Sequence, residues 1–459
     1  MLWLVELKLR SADPYKRAKA AERLYAAGKK RASRAFQRAL SHSNPEVRQT
    51  AINGLCKVAD GASIPTLIKV LGDKDPEVVK PATLALRGNR TPEVRNAVAA
   101  LLRHKDAGVR GTAAQILPSM HWQPGTPQDH AWFLTARGAF APAVAEHGAL
   151  ALAPLHLVIA NGPCDLSVRA VEALGKIPSP EVPAILLRAL NSAHPGVCIA
   201  AIDALGGLGG PEIVEPLMQM LGHVNANVRV SAIEVLGRAR VSEAVDTLAR
   251  LTRDREWDVR RAAVEALGRI RHKKGLEALV RSLNDSDQDV REVAVRGLGN
   301  LRERRAIGPL LLRLCDKETS VRRIAAASLS RIAEDWSASP EAFGMVDKIK
   351  LLLQDGDQEV RRRAMELLAS LMAAQQSRSV GNAEHATLAV AQFVDILRDQ
   401  DADLRLAAAE ALSRLALAEG QAALEHAVND PDRNVREAAE RGLVLLRLGV
   451  PETLAVSES

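Results

Sequence analysis

One arrangement of apolar and polar positions recurs along most of the chain. In "DVRRAAVEALGRI" (258–270) the apolar residues are Val259, Ala262, Ala263, Ala266, Leu267 and Ile270. That spacing makes one apolar stripe on a helix. Thirty-one residues earlier stands "NVRVSAIEVLGRA", and 31 later "DVREVAVRGLGNL". Upstream, "VSEAVDTLARLTRD" (241–254) carries a second stripe. Each unit therefore predicts two antiparallel helices joined by a short turn. One such hairpin cannot bury its apolar faces alone, but a stack of them can.

The units align on the Val of "VR": Val47, Val78, Val109, Val168, Val197, Val228, Val259, Val290, Val321, Val360 and Val435, with Lys16 and Leu404 in equivalent places. Most steps are 31 residues, and the step from Val109 to Val168 is 59, close to two units. "TPEVR" at Val94 looks like a partial copy. Three residues before the anchor stands a helix N-cap candidate: Asp13, Asn44, Asp75, Asp106, Asp165, Asn225, Asp287, Asp357, Asp401 or Asp432. A side-chain oxygen there accepts from an otherwise unpaired backbone N–H and contributes about 1 kcal/mol. Nine residues after the anchor come Gly206, Gly237, Gly268 and Gly299, and seven after Val168 comes Gly175. Their recurrence implies either close approach of a neighbouring helix or helix termination. Asp recurs five before the anchor, and Arg one after it at Arg48, Arg110, Arg229, Arg260, Arg291, Arg322, Arg361 and Arg436. In a stack, each Arg is expected to bridge its own turn and the next one as a structural ladder. Val79 and Cys198 leave two rungs without Arg.

Units reading D-x-D-x-x-V-R-x-x-A-x-x-A-L-G resemble HEAT repeats, specifically the short bacterial type named after phycobilisome lyases. The resemblance implies an all-α fold, an α-solenoid or superhelix of about 12–14 stacked antiparallel helix pairs. It covers nearly the whole chain and specifies fold far better than function. Its members include bilin lyase subunits, deoxyhypusine hydroxylase and many scaffolds. The hydroxylase type holds two irons with repeated His-Glu pairs, and this chain contains no His-Glu dipeptide.

Composition refines this picture in three ways. Four cysteines, Cys56, Cys164, Cys198 and Cys315, lie far apart with no C-x-x-C pair, which suggests neither a disulfide framework nor a zinc site. The start "MLWLVELKLR" is too short and too charged for a signal peptide, and "GALALAPLHLVIA" (148–160) is too short for a membrane span. A cytoplasmic protein without a membrane span is the expectation, and a monomer. Net charge is uneven: residues 1–120 hold 22 basic and 10 acidic side chains, a balance of +12, against 40 and 45 in the remainder, a balance of −5. The expected organisation is basic N-terminal repeats over 1–117, a degenerate or inserted helical segment over 118–147, and a repeat array over 148–448. Insertions near 335–345 and 373–387 read as surface loops, and 449–459 as a flexible tail.

Three features bear on function. The basic run supplies Lys16, Lys19, Lys29, Lys30, Arg31, Arg34 and Arg38, a candidate anion, nucleic-acid or partner contact. Few aromatic residues stand among them to stack on bases. The break at 118–147 supplies Trp122, His130 and Trp132 as candidate contacts. His121, Asp129, Glu146 and His147 stand there too, without i, i+4 or other ligand spacing, so no metal site is assigned. "ALGGLGGPE" (204–212) does not match a dinucleotide loop, and no G-x-S-x-G occurs. No catalytic residue and no cofactor follow from the sequence. It predicts a non-catalytic scaffold that binds a protein through its curved helical surface. The alternatives are a polyanion binder at the basic end, or a bilin-lyase-like chaperone or lyase subunit resting on fold analogy.

Overall fold

The computed structural model describes residues 2–58, 61–89, 91–376, 390–391, 393–415 and 418–448. It is an α-solenoid, and its regular elements are α and 3-10 helices among the described residues. Contacts divide the chain into two compact units, Met1–Pro216 and Leu217–Ser459. The 118–147 segment lies inside the first. The 373–387 insertion falls outside the described residues from 377 on, and the tail falls wholly outside them.

Each pair has a characteristic asymmetry. In the second unit the first helices are short and follow a 3-10 turn, as in Val245–Leu251, Leu276–Ser282 and Ile307–Leu312. The second helices are longer: Ala226–Arg238, Trp257–Ile270, Gln288–Leu301 and Thr319–Ile332. Val228, Val259, Val290 and Val321, the anchors, are fully buried. Second helices of neighbouring pairs lie in continuous contact, whereas first helices barely reach each other.

The recurrent glycines explain that asymmetry. A Cβ on Gly237 would stand 2.7 Å from the Ala266 Cβ, and one on Gly299 would stand 2.7 Å from the Ser328 Cβ. At Gly268 it would come within 2.8 Å of the Gly297 Cα, a backbone atom that cannot yield. Of the two explanations the sequence allows, close approach is the one realised at Gly237, Gly268 and Gly299, while Gly175 also ends its helix as the C-cap of Cys164–Leu174. Termination falls three residues later, where His121, Arg240, Arg271 and Arg302 adopt positive φ of 54–58° in the same register. A left-handed residue closes the helix end by αL capping. That Arg and His take this conformation, where Gly is usual, was not visible from residue type.

The caps form as expected at Asp13, Asp75, Asp106, Asn225 and Asp287, each accepting from a first-turn N–H. Asp357, Asp401 and Asp432 accept likewise. Asp165 does not cap: the helix begins at Cys164, with Pro163 before it, so Asp165 is inside the first turn. "TPEVR" at Val94 is not an extra copy either. It opens Pro92–Ala100, the first helix of the pair completed by Ala107–Ile116. The 335–345 insertion is not a plain surface loop. It forms a 3-10 turn, Trp336–Ala338, and the short helix Pro340–Phe343. Ala342 and Met345 are buried, and Met345 rests on Gly308, where a Cβ would meet its sulfur at 3.0 Å.

The Arg ladder is the most regular polar feature. Arg260 Nη1 donates to the carbonyls of Asp254 and Arg255 in its own turn, at 3.1 and 3.2 Å. Its Nε and Nη2 donate to both Asp285 oxygens of the next turn, at 2.8 and 2.9 Å. Arg48 treats Asp73 in the same way, Arg291 treats Asp316, and Arg405 treats Asp430. Arg229 reaches Asp254 through Nη2 alone. Each acid also accepts the N–H two residues on, so one carboxylate closes its own turn and holds the preceding Arg.

Exceptions follow from what the next turn offers. Arg322 meets Glu359 across the longer connection. Arg110, Arg361 and Arg436 donate to the two carbonyls of their own turns. Arg169 reaches back to the Gly138 carbonyl and lies over the Phe140 ring instead. Where Val79 and Cys198 replace Arg, the acid of the following turn is replaced as well, by His104 and His223. Each His Nδ1 accepts the N–H two residues on, as the Asp does, without placing an unpaired carboxylate there. Cys198 donates its S–H to the Ser192 carbonyl, the position an Arg would take. Losing both partners together avoids an uncompensated buried charge.

Burial acts against ionisation of Asp285. The Arg260 hydrogen bonds, the Asp287 N–H and the nearby guanidinium charges outweigh it, and the carboxyl sits below its ordinary range. Asp430 is held low mainly by its Arg405 hydrogen bonds. Burial pushes the Cys315 thiol up to about 12, so it is an inert core group.

These features make three predictions. Arg260→Val should cost about 3–5 kcal/mol by stranding Asp285, and adding Asp285→His should restore most of it; urea unfolding of the two variants checks this. Gly268→Ala should cost about 1–3 kcal/mol by forcing helices apart, against near neutrality for an exposed position. Asp73, Asp285 and Asp430 have lowered folded-state values, so their stabilisation is complete above the unfolded value of about 3.9 and is lost as pH falls through the folded value below it. Melting temperature should therefore stay level near neutrality and fall steeply in that acid window, more steeply than in the Arg260→Val, Asp285→His variant.

Candidate functional site

Three surfaces come from the residues singled out in the sequence. The first is the basic run. Lys16 and Lys19 lie exposed on Pro14–Ala26, a second helix of its pair. Lys29, Lys30, Arg31, Arg34 and Arg38 lie exposed on Lys29–Ala39, a first helix. The run is thus divided between the two helix layers and does not form one continuous groove. Arg38 pairs with Glu6 at 2.8 Å, and Lys19 stands 5.9 Å from the Tyr15 ring centre. Arg17, within the same run, is buried as a ladder residue hydrogen-bonded to the Ser11 and Ala12 carbonyls and to Glu46. Lys29, Lys30 and Arg31 crowd the first turn of their helix, where the peptide dipole is already positive.

The second surface is the break. It contains the helices Pro127–Ala136 and Phe140–His147, which pack on each other as a pair. Thr126 caps the first, accepting from the Asp129 N–H, and its hydroxyl donates back to the Asp129 carboxylate. Trp122 and Trp132 are half-buried against the core of the first unit, and they line a cleft of about 540 Å³ with Arg95, Arg103 and His121. Arg103 lies over the Trp132 ring and pairs with Asp129. His130 is on the same helix but does not join this cleft. It turns toward the second helix, where its Nδ1 lies 3.0 Å from His147 Nε2. Glu146 Oε2 stands 3.6 and 3.8 Å from those two nitrogens. Glu146 and His147 stand at no helical ligand spacing from His130 along the chain. The hairpin through Gly138, at φ 74°, brings 130 and 147 together, and only that turn carries the signal.

The end of this segment opens the one stretch, Phe140–Asn161, that is apolar and long enough by composition to span a membrane among the described residues, with mean hydropathy 1.5. It is not one straight helix, because Gly148 at φ 52° and ψ −121° breaks it. Glu146 and His147 stand at that break.

The third surface is the solvent side of the second helices in the second unit. Glu234 and Arg238, then Arg261, Glu265 and Arg269, then Glu292 and Arg296, then Arg323 and Arg331 stand at successive helical turns. Arg261 and Arg269 both pair with Glu265. Arg331 donates across to Asn300, and Gln288 across to Ser320. Hydrogen bonding to Ser320, aided by Gln288 and the Arg296 and Arg323 charges, holds the Glu292 carboxyl low against burial. The face has both charge signs.

No curated protein matches the sequence. Among solved structures, an engineered protein is similar at 19% identity, over 90% of this chain and 98% of that one, with a TM-score of 0.33. The CpcE–CpcF complex of phycocyanin lyase from Nostoc sp. PCC7120 is similar at 21% identity, over 54% and 93%, with a TM-score of 0.26. Kap121p is similar at 14% identity, over 98% and 54%, with a TM-score of 0.35. The family description "HEAT repeats" matches residues 2–87, 35–118, 152–223, 214–296, 276–343 and 346–444, leaving 119–151 between its matches. With its paired helices, its recurrent glycine contacts and its Arg ladder, the chain belongs to the HEAT-repeat family.

Proposed function

We propose that the protein is a non-catalytic scaffold that holds an extended, charged segment of a protein partner along the second helices of its second unit. The supporting observation is the pattern on that face. Exposed and half-buried positions carry both Arg and Glu at successive turns from Glu234 to Arg331, while the ladder and glycine positions beneath are spent on the stack. HEAT solenoids present such surfaces to proteins. Mixed charge suits a polypeptide carrying both signs, and it opposes a nucleic-acid backbone, which favours uniformly basic surfaces. The 31-residue period accords with the short phycobilisome-lyase-like repeat type, found in bacterial proteins.

The test is affinity capture after cross-linking in the native cell, compared between variants that keep the wild-type melting temperature. Arg261→Glu with Arg296→Glu and Arg323→Glu should reduce recovery of the partner by about tenfold or more. Changing Lys29, Lys30, Arg31 and Arg34 to Glu should leave recovery intact and alter only heparin elution. The reverse pattern would move the binding surface to the N-terminal helices and sink this reading.

A further inference from the structure

We propose that His130, Glu146 and His147 form a binding site for a divalent transition ion of the Zn²⁺ class. All three donor atoms lie within 4.8 Å of one another. The triangle between them has sides of 3.0, 3.6 and 3.8 Å. A tetrahedral ion bound at about 2.0–2.1 Å separates its ligand atoms by about 3.4 Å. Small side-chain shifts would bring the three atoms onto one face of that tetrahedron.

Direct contacts alone account poorly for this arrangement. Two imidazoles share a single hydrogen bond at 3.0 Å, and the Glu146 oxygen converges on both nitrogens from beyond hydrogen-bonding distance. An ion placed among the three would join all of them. The ligand set favours borderline transition ions: imidazole nitrogens suit Zn²⁺, Cu²⁺ or Ni²⁺ and not Mg²⁺ or Ca²⁺. Two neutral imidazoles and one carboxylate contribute a single negative charge, leaving a fourth position for water or a partner's side chain.

The frame also suits a cation. Glu146 and His147 close the Phe140–His147 helix, at the end where the peptide dipole is negative. The opposing helix is fixed at its start by the Thr126 cap, and Gln128 donates to the Leu150 carbonyl beyond the break. His147 is 10% exposed, His130 35% and Glu146 52%, so the donors are held on one side and reachable from the other. The site falls in residues 119–151, between the family matches, so the repeat itself does not require these residues.

Equilibrium dialysis of the untagged full chain against Zn²⁺ decides the matter, with bound metal counted by mass spectrometry. One ion per chain is expected. His147→Ala and His130→Ala should each weaken binding by at least about tenfold, and Glu146→Gln should do likewise. Helical circular dichroism checks that each variant is folded. Co²⁺ added to the wild type should give the intensified visible bands of a four-coordinate site, a readout that does not depend on any variant folding. Failure of the wild type to bind, octahedral Co²⁺ bands alone, or binding unchanged in folded His130→Ala would each overturn the proposal.

Discussion

Everything in this molecule depends on how each turn is tied to the next. A HEAT hairpin buries its apolar faces only against neighbours, so the fold needs a device that sets neighbouring hairpins in register. Here that device is an Arg held in one turn by two backbone carbonyls and aimed at the carboxylate of the following turn. Arg260 and Asp285 are the clearest instance. The geometry is two-pronged, so it fixes orientation as well as distance. The same carboxylate accepts a backbone N–H in its own turn, which couples turn closure to stacking.

The rungs that depart from the pattern clarify its physics. A buried Asp without its Arg would carry an uncompensated charge, and none stands after Val79 or Cys198. His104 and His223 take over as the turn-closing acceptor. The pairing rule therefore spans adjacent repeats, with one residue's identity conditioned on another 25 positions away. Glycine makes a second coupling between repeats. Gly268 against Gly297 lets neighbouring second helices come into backbone contact.

Function then occupies what the repeat does not use. Ladder, anchor and glycine positions are committed to the stack, while solvent positions on the second helices are free to vary from copy to copy. The 118–147 segment departs furthest from the repeat and gathers aromatic and imidazole side chains that the array otherwise scarcely contains. Trp122 and Trp132 face one cleft, and His130 faces another direction, so residues close together along the chain fall into two separate groups.

Much of the architecture was legible in the sequence by itself because it is local or strictly periodic. Helix pairing, the anchors, most caps and the Arg ladder all follow from spacing that repeats every 31 residues. Tertiary structure alone decided what spacing does not encode. It chose close approach over termination for Gly237, Gly268 and Gly299, because only a neighbouring backbone reveals the missing space for a Cβ. It divided the basic run between two helix layers, since a linear charge count takes no account of which helix a residue occupies. It joined His130 to Glu146 and His147, because convergence across a hairpin depends on the turn between the helices and not on any interval within either one.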